Sequence, residues 1–217
     1  MDQRKIVSFD VEGTLVSHDF SEILWHEAIP LEYARKYNID LMKARRITTG
    51  EFEKVGHKRM EWYDVGYWFR YFQLENPDQV IRSCRDKIFY YPEVLSVLSS
   101  IAAHYELVVA STVPLYLLSY LLGEIESYFS HVFSSISQYH QLKTPYFYRQ
   151  ICQFLDIEPA QVVHVGDNWN TDYLNPREVG MNAFYLDREG RSKGSYLRNL
   201  TQLETILLNG TILLEKT

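Results

Sequence analysis

Two short apolar runs, far apart in the chain, each lead into an acidic residue. The first, Ile6-Val7-Ser8-Phe9, runs into Asp10-Val11-Glu12-Gly13-Thr14-Leu15. The second, Val162-Val163-His164-Val165, runs into Gly166-Asp167, with a further acid at Asp172. Short apolar runs bounded by turn residues read as buried strands. A carboxylate at a strand tip is aimed by a rigid scaffold. If both strands lie in one parallel sheet, their tips meet at the edge where open α/β sheets bind ligands. Glu12 should point the same way as Asp10, because strand residues i and i+2 share a face. Gly13 allows a tight turn whose N–H groups face an anion. Three acidic side chains gathered at one edge repel one another without a cation, and hard oxygen ligands in small number suit Mg²⁺.

The rest of the chain supports a parallel sheet. Residues 4–10 form the first strand, and residues from about 17 to 89 look helical, with no convincing strand. Within that block Asp40-Leu41-Met42-Lys43-Ala44-Arg45-Arg46-Ile47 is amphipathic, Pro77 opens a helix, and Pro30 breaks or begins one. Pro92 starts a helix through His104, with Val94, Leu95, Val97, Leu98 and Ile101 at helical spacing. Strand and helix then alternate. Strands are expected at 106–111, 132–136, 161–166 and 182–186. Helices are expected near 114–128, from Pro145 to Leu155, near 170–179 and at 198–208. Alternation of this kind implies βαβ units and a mostly parallel sheet.

Four segments in this order resemble the haloacid dehalogenase (HAD) superfamily, most of whose members are Mg²⁺-dependent phosphatases. Its first motif, Asp-x-Asp-Gly-Thr, is similar to Asp10-Val11-Glu12-Gly13-Thr14, with Glu for the second Asp. Its second, a hydrophobic strand ending in Ser or Thr, is similar to Leu107-Val108-Val109-Ala110-Ser111, followed by Thr112. Its third, a Lys before a helix, is similar to Lys143-Thr144-Pro145-Tyr146-Phe147. Its fourth, Gly-Asp-x-x-x-x-Asp, is similar to Gly166-Asp167 through Asp172, with Val179-Gly180-Met181 as its tail.

The resemblance implies an α/β fold: a Rossmann-like, mostly parallel sheet with helices on both faces, plus a small all-helical cap domain. Residues 1–16 and 90–217 would form the core and residues 17–89 the cap. It implies that Asp10 attacks phosphorus to form an aspartyl phosphate, and that Glu12 protonates the leaving oxygen and then activates water. Mg²⁺ would be held by Asp10, Asp167 and the backbone carbonyl of Glu12, with Asp172 behind them or bound through water. Lys143 and Ser111 would orient and neutralise the phosphoryl oxygens, helped by backbone N–H groups at Gly13, Thr14 and Thr112. Some family members, the enolase-phosphatases, also carry Asp-x-Glu-Gly-Thr, so Glu12 is compatible with the chemistry. Asn175-Pro176-Arg177 departs from the small residues common after the fourth motif and affects the start of that helix.

Each position also has an ordinary structural reading. Ser111 could end a strand or cap a helix, Lys143 could lie on the surface, and Asp172 could favour a helix dipole. His164 alternates with Val163 and Val165, which suits a packed, hydrogen-bonded histidine better than a ligand. In the helical block Trp25, Tyr33, Tyr37, Trp62, Tyr63, Tyr67, Trp68, Phe69, Tyr71 and Phe72 read mostly as its own core, with a few free to line an apolar pocket. His57, Lys58 and Arg59 fit a charged helix face or contacts to an anionic part of a substrate.

A net charge of -6 and the lack of a Lys/Arg run argue against a nucleic-acid partner. The short basic cluster at Lys43, Arg45 and Arg46 is flanked by acids and reads as a solvated helix face. Two cysteines, Cys84 and Cys152, make no disulfide framework. With no signal peptide and no bilayer-length apolar run, a cytoplasmic enzyme acting on a small phosphorylated metabolite is expected. Gly190-Arg191-Ser192-Lys193-Gly194 fits the hydrolase elbow, but that fold needs a later His and the last is His164. Two rivals remain: a metal-free haloacid dehalogenase, and a non-catalytic phosphate- or partner-binding protein. The acids at 12, 167 and 172 weigh against the first, and the complete charged set against the second.

Overall fold

The computed structural model of the chain describes residues 5–194 and 196–209. Five parallel strands run through it: β1 (Ile6–Phe9), β2 (Glu106–Ser111), β3 (His131–Ser134), β4 (Val162–Gly166) and β5 (Asn182–Tyr185). They form one sheet in the order β3-β2-β1-β4-β5. The chain works outward from β1 to β3, then crosses back to place β4 on the other side of β1. The switch point therefore lies between β1 and β4, and Asp10 and Asp167 follow those two strands. The fold is α/β, as the alternation implies. Arg4, expected to open the first strand, lies outside the described residues, as do residues 1–3, 195 and 210–217 of the expected core segments.

Strand alternation divides the core into two layers. Val7, Phe9, Leu107, Val109, Val163 and Val165 face a large cluster that includes Leu98, Ile101 and Leu203. Ile6, Val108, Ala110 and Val162 face the other way, onto Phe147, Tyr148 and Ile151 of the helix Pro145–Leu155. Both sides of the sheet are thus covered, as parallel sheets require. That helix begins where its sequence says. Thr144 caps it by accepting from the Phe147 N–H, and Pro145 occupies the first turn.

Between Asp19 and Lys87 every named element is helical, the longest being Leu41–Val55, capped by Asp40. Pro77 opens the helix Pro77–Ser83, and Pro30 sits in the first turn of Ile29–Tyr37. Trp68 is fully buried, Phe52, Phe69 and Phe72 nearly so, and the rings of Phe52, Trp68 and Phe72 meet edge-on or stacked. Tyr37 and Tyr71 are exposed. Several elements are shorter than expected. The stretch near 114–128 is the helix Leu115–Leu122 followed by a 3-10 segment Gly123–Tyr128, since Gly123 takes a positive φ of 35°. A short helix, Ser135–Tyr139, takes the end of what the sequence suggests is a strand to 136. Cys84 and Cys152 are free and buried. Among the described residues no helix is long and apolar enough to cross a membrane.

Candidate active site

The site lies at the carboxyl ends of β1, β2 and β4. β1 stops at Phe9, and the Asp10 N–H donates to Val165 O at 2.9 Å, which locks the tip of β1 to β4. The next residues curl into a turn in which the Leu15 and Val16 N–H groups both donate to Val11 O, at 2.8 and 3.0 Å. This changes the reading of Glu12. Strand alternation no longer aims it, and its carboxylate accepts from the Ser21 hydroxyl on the following helix. The expected N–H cradle changes too. The Gly13 N–H donates to Val16 O at 2.7 Å and the Thr14 N–H to Val11 O at 3.2 Å. These two residues shape the turn, and their amides are already engaged.

Gly13 is required there for two reasons. Its φ of +74° is left-handed, and a Cβ would fall 2.0 Å from an Asp167 carboxylate oxygen. Gly166 is fixed similarly, since a Cβ would meet Asp172 Cγ at 2.5 Å. In both motifs glycine lets a carboxylate approach the backbone.

Asp10, Asp167 and Asp172 each offer an oxygen, and these atoms lie within 4.8 Å of one another. Lys143 joins them. Its Nζ lies 2.7 Å from Asp10 Oδ1 and also donates to Asp172 Oδ1. At 3% exposed it is no surface lysine. It stands just before the Thr144 cap, and Asn175 Nδ2 clamps its carbonyl at 2.6 Å. Lys143 also lies 3.5 Å from Ala110 O, beside Ser111 at the end of β2. Ser111 is buried and its Oγ accepts from the Val113 N–H at 3.3 Å, while Thr112 is half-buried in the bend that follows.

Burial raises the Asp10 carboxyl to about 7; Lys143 opposes the shift, and Asp172 and Asp167 add to it. Burial also raises Glu12, against the Ser21 hydrogen bond. Asp172 goes the other way: its burial is outweighed by Lys143 and the His164 hydrogen bond, which hold it well below the usual carboxylate range. Lys143 stays firmly protonated, because its two carboxylate partners overcome its own burial.

Sequence reasoning missed several neighbours. His18 Nε2 sits 3.2 Å from Asp167 Oδ2, and this hydrogen bond pushes the imidazole up to about 9. Arg188, after β5, ties down the motif-one turn. It donates to Gly13 O at 3.2 Å and Thr14 O at 2.7 Å, pairs with Glu93 at 2.8 Å and lies over the Tyr91 ring. Nothing in the local sequence marks either residue. A cleft of about 190 Å³ opens beside the cluster, lined by Gly13, His18, Tyr91, Asp167, Tyr185 and Arg188 among others. His57, Lys58 and Arg59 are exposed, and Arg59 pairs with Glu61.

The donor set fits a hard divalent cation. Asp10, Asp167 and Asp172 bring three carboxyl groups, met by Lys143 and His18, while the Glu12 carboxyl is engaged with Ser21. Asp172 and Asp167 add to the rise that burial imposes on Asp10, and a small oxygen-seeking ion would relieve that crowding of carboxylates.

Comparison with known proteins agrees with this architecture. The family model described as haloacid dehalogenase-like hydrolase matches residues 4–180. Among solved structures the chain is similar to a HAD phosphatase from Thermococcus onnurineus, at 24% identity and TM-score 0.80, covering 94% of this chain and 97% of that one. It is also similar to 2-haloacid dehalogenase from Pseudomonas syringae pv. Tomato DC3000, at 17% identity and TM-score 0.66, covering 96% and 100%. A third is the magnesium-bound HAD-hydrolase YfnB from Bacillus subtilis, at 17% identity and TM-score 0.65, covering 95% and 100%. No curated protein matches the chain.

Proposed function

The chain belongs to the haloacid dehalogenase-like hydrolases, and within that family we propose that it is a Mg²⁺-dependent phosphatase acting on a small phosphomonoester. The observation that carries this reading is the set of three carboxylates whose oxygens lie within 4.8 Å at the strand tips. A metal-free dehalogenase has no use for that concentration of charge. The magnesium-bound YfnB relative is consistent with the same reading.

Asp10, Asp167 and the Glu12 carbonyl would hold the ion, with Asp172 beside them. Bound there, Mg²⁺ would neutralise the carboxylates and polarise a phosphoryl oxygen. Asp10 is the nucleophile. Its oxygen forms a bond to phosphorus as the bond from phosphorus to the leaving oxygen breaks, and Glu12 gives that oxygen its proton. Burial raises Glu12, which suits a group that must carry a proton near neutral pH. In the second step water attacks phosphorus, Glu12 takes the water's proton, and Asp10 departs with the bonding pair. Lys143 and Ser111 hold the phosphoryl oxygens while charge builds on them.

Residues 17–89 act as a cap over this site. Tyr63, from that block, feels the charges of both Lys143 and Asp10, and Tyr116 accepts from the Val65 N–H at 3.1 Å, tying the block to the helix Leu115–Leu122. The substrate is a small phosphorylated metabolite handled in the cytoplasm. Its leaving group has room in the cleft between Tyr91 and Tyr185.

The dehalogenase reading is separated by giving the protein an aryl phosphate and a 2-haloacid in parallel, each with Mg²⁺ and with chelator. Phosphate release that chelator abolishes, with no halide release, supports the phosphatase. Halide release that survives chelator would replace it.

A further inference from the structure

Behind the carboxylates lies a buried hydrogen-bonded chain that the reaction itself does not use. Ser8 of β1 and His164 of β4 are register partners on the face that packs against Tyr148. Ser8 Oγ is 2.9 Å from His164 Nδ1, and His164 Nε2 is 3.1 Å from Asp172 Oδ1. Tyr148 O–H donates to Thr171 O at 2.7 Å and lies 3.1 Å from the same Nε2. Ser8, His164 and Asp172 are all 1% exposed or less, so the trio is no nucleophilic triad open to substrate. An ionised carboxylate only accepts, so the nitrogen facing Asp172 carries the proton. Nδ1 then accepts from the Ser8 hydroxyl. Every polar atom in the chain is satisfied in one arrangement. Asp172 is gripped at both oxygens: Lys143 and His164 reach Oδ1, and the Asn168 N–H reaches Oδ2 at 3.0 Å. The same Oδ1 anchors Lys143, whose Nζ reaches Asp10.

We propose that His164 is a positioning residue: hydrogen-bonded to Ser8 through Nδ1 and carrying a proton on the nitrogen that faces Asp172, it fixes the Asp172 carboxylate that holds Lys143 against Asp10. What Lys143 then does rests on the phosphatase reading; the positioning does not.

The test compares His164→Leu, His164→Gln and Ser8→Ala by Mg²⁺-dependent hydrolysis of an aryl phosphate, well below each thermal midpoint, together with the ring ¹⁵N shifts of His164. His164→Leu removes the donor and should lower kcat about 10–100-fold, the usual cost of losing a partner that orients a functional carboxylate. His164→Gln keeps an amide donor near the Nε2 position and should recover most of that loss even though its midpoint also falls. The wild-type ring should report a proton on Nε2, the nitrogen that faces Asp172, and Ser8→Ala should leave it there. Full activity in His164→Leu, or equal loss in both His164 variants in step with stability, overturns the proposal. So does a wild-type ring with its proton on Nδ1 alone. If the wild type hydrolyses no phosphate, the phosphatase reading has failed instead, and the ¹⁵N shift of the Lys143 ammonium in wild type and His164→Leu decides the positioning claim: a shift displaced by the substitution supports it, and an unchanged shift overturns it.

Discussion

The ammonium of Lys143 sits 2.7 Å from an Asp10 carboxylate oxygen, with 3% of the lysine side chain exposed. An ion pair this deep is worth little compared with an apolar pair, but breaking it from one side is costly. Lys143→Met leaves Asp10 and Asp172 facing each other without their cation. Urea unfolding of the metal-free protein should show a loss of about 3–5 kcal/mol. Adding Mg²⁺ should return part of that stability but not the activity.

Asp10 supplies a pH signature. Its carboxyl is held at about 7 in the folded chain against an ordinary 3.8. Between those values the folded state binds the proton more tightly than the unfolded state, so this group makes stability fall as pH rises through the window. Metal-free protein should therefore gain from Asp10→Asn at pH 8 and not at pH 3. Thermal midpoints of wild type and variant across that range test it; a variant no more stable at pH 8 contradicts the charge balance drawn for the site.

Gly13→Ala should damage the site more than the fold. A Cβ there meets an Asp167 oxygen at 2.0 Å, and the φ of +74° is costly for alanine by about 1–2 kcal/mol. The clash pushes Asp167 away from Asp10. Calorimetric Mg²⁺ affinity should drop about tenfold or more, the scale seen when a ligand loses its orientation.

The link between the helical block and the helix Leu115–Leu122 is testable at Tyr116. Its hydroxyl accepts from the Val65 N–H at 3.1 Å, and Tyr116→Phe should cost about 0.5–1.5 kcal/mol. Trp68→Ala, by contrast, empties the centre of the block's aromatic cluster and should cost about 3–5 kcal/mol. If the block covers the site as proposed, Tyr116→Phe should also raise KM, since it loosens closure.

The sheet was readable because its signals are local. The run from Glu106 to Ser111 is apolar, β-rich and bounded by polar turns, and it emerges as β2 at the expected residues. Asp10 and Asp167 were readable for the same reason: each follows such a run. Lys143 was picked out only by the resemblance of Lys143-Thr144-Pro145 to the family's third motif, since a lone lysine before a helix is ordinarily on the surface. What the sequence hid depends on distant contacts. The aim of Glu12 follows from where β1 ends, and the sequence pattern extends the strand one residue too far. His18 and Arg188 reach the motif-one turn across the fold, and neither has a neighbour in sequence that announces it. His164 stood out by its place in an apolar strand, but its partners Ser8 and Asp172 come into view only once β1 and β4 are paired.

The central claim is metal-dependent phosphoryl transfer through Asp10. The most direct measurement is phosphate release from an aryl phosphate by wild type and Asp10→Asn, each with Mg²⁺ and with chelator. Turnover is expected in one of those four conditions alone, wild type with Mg²⁺. Turnover that persists in Asp10→Asn, or in wild type with chelator, would contradict it.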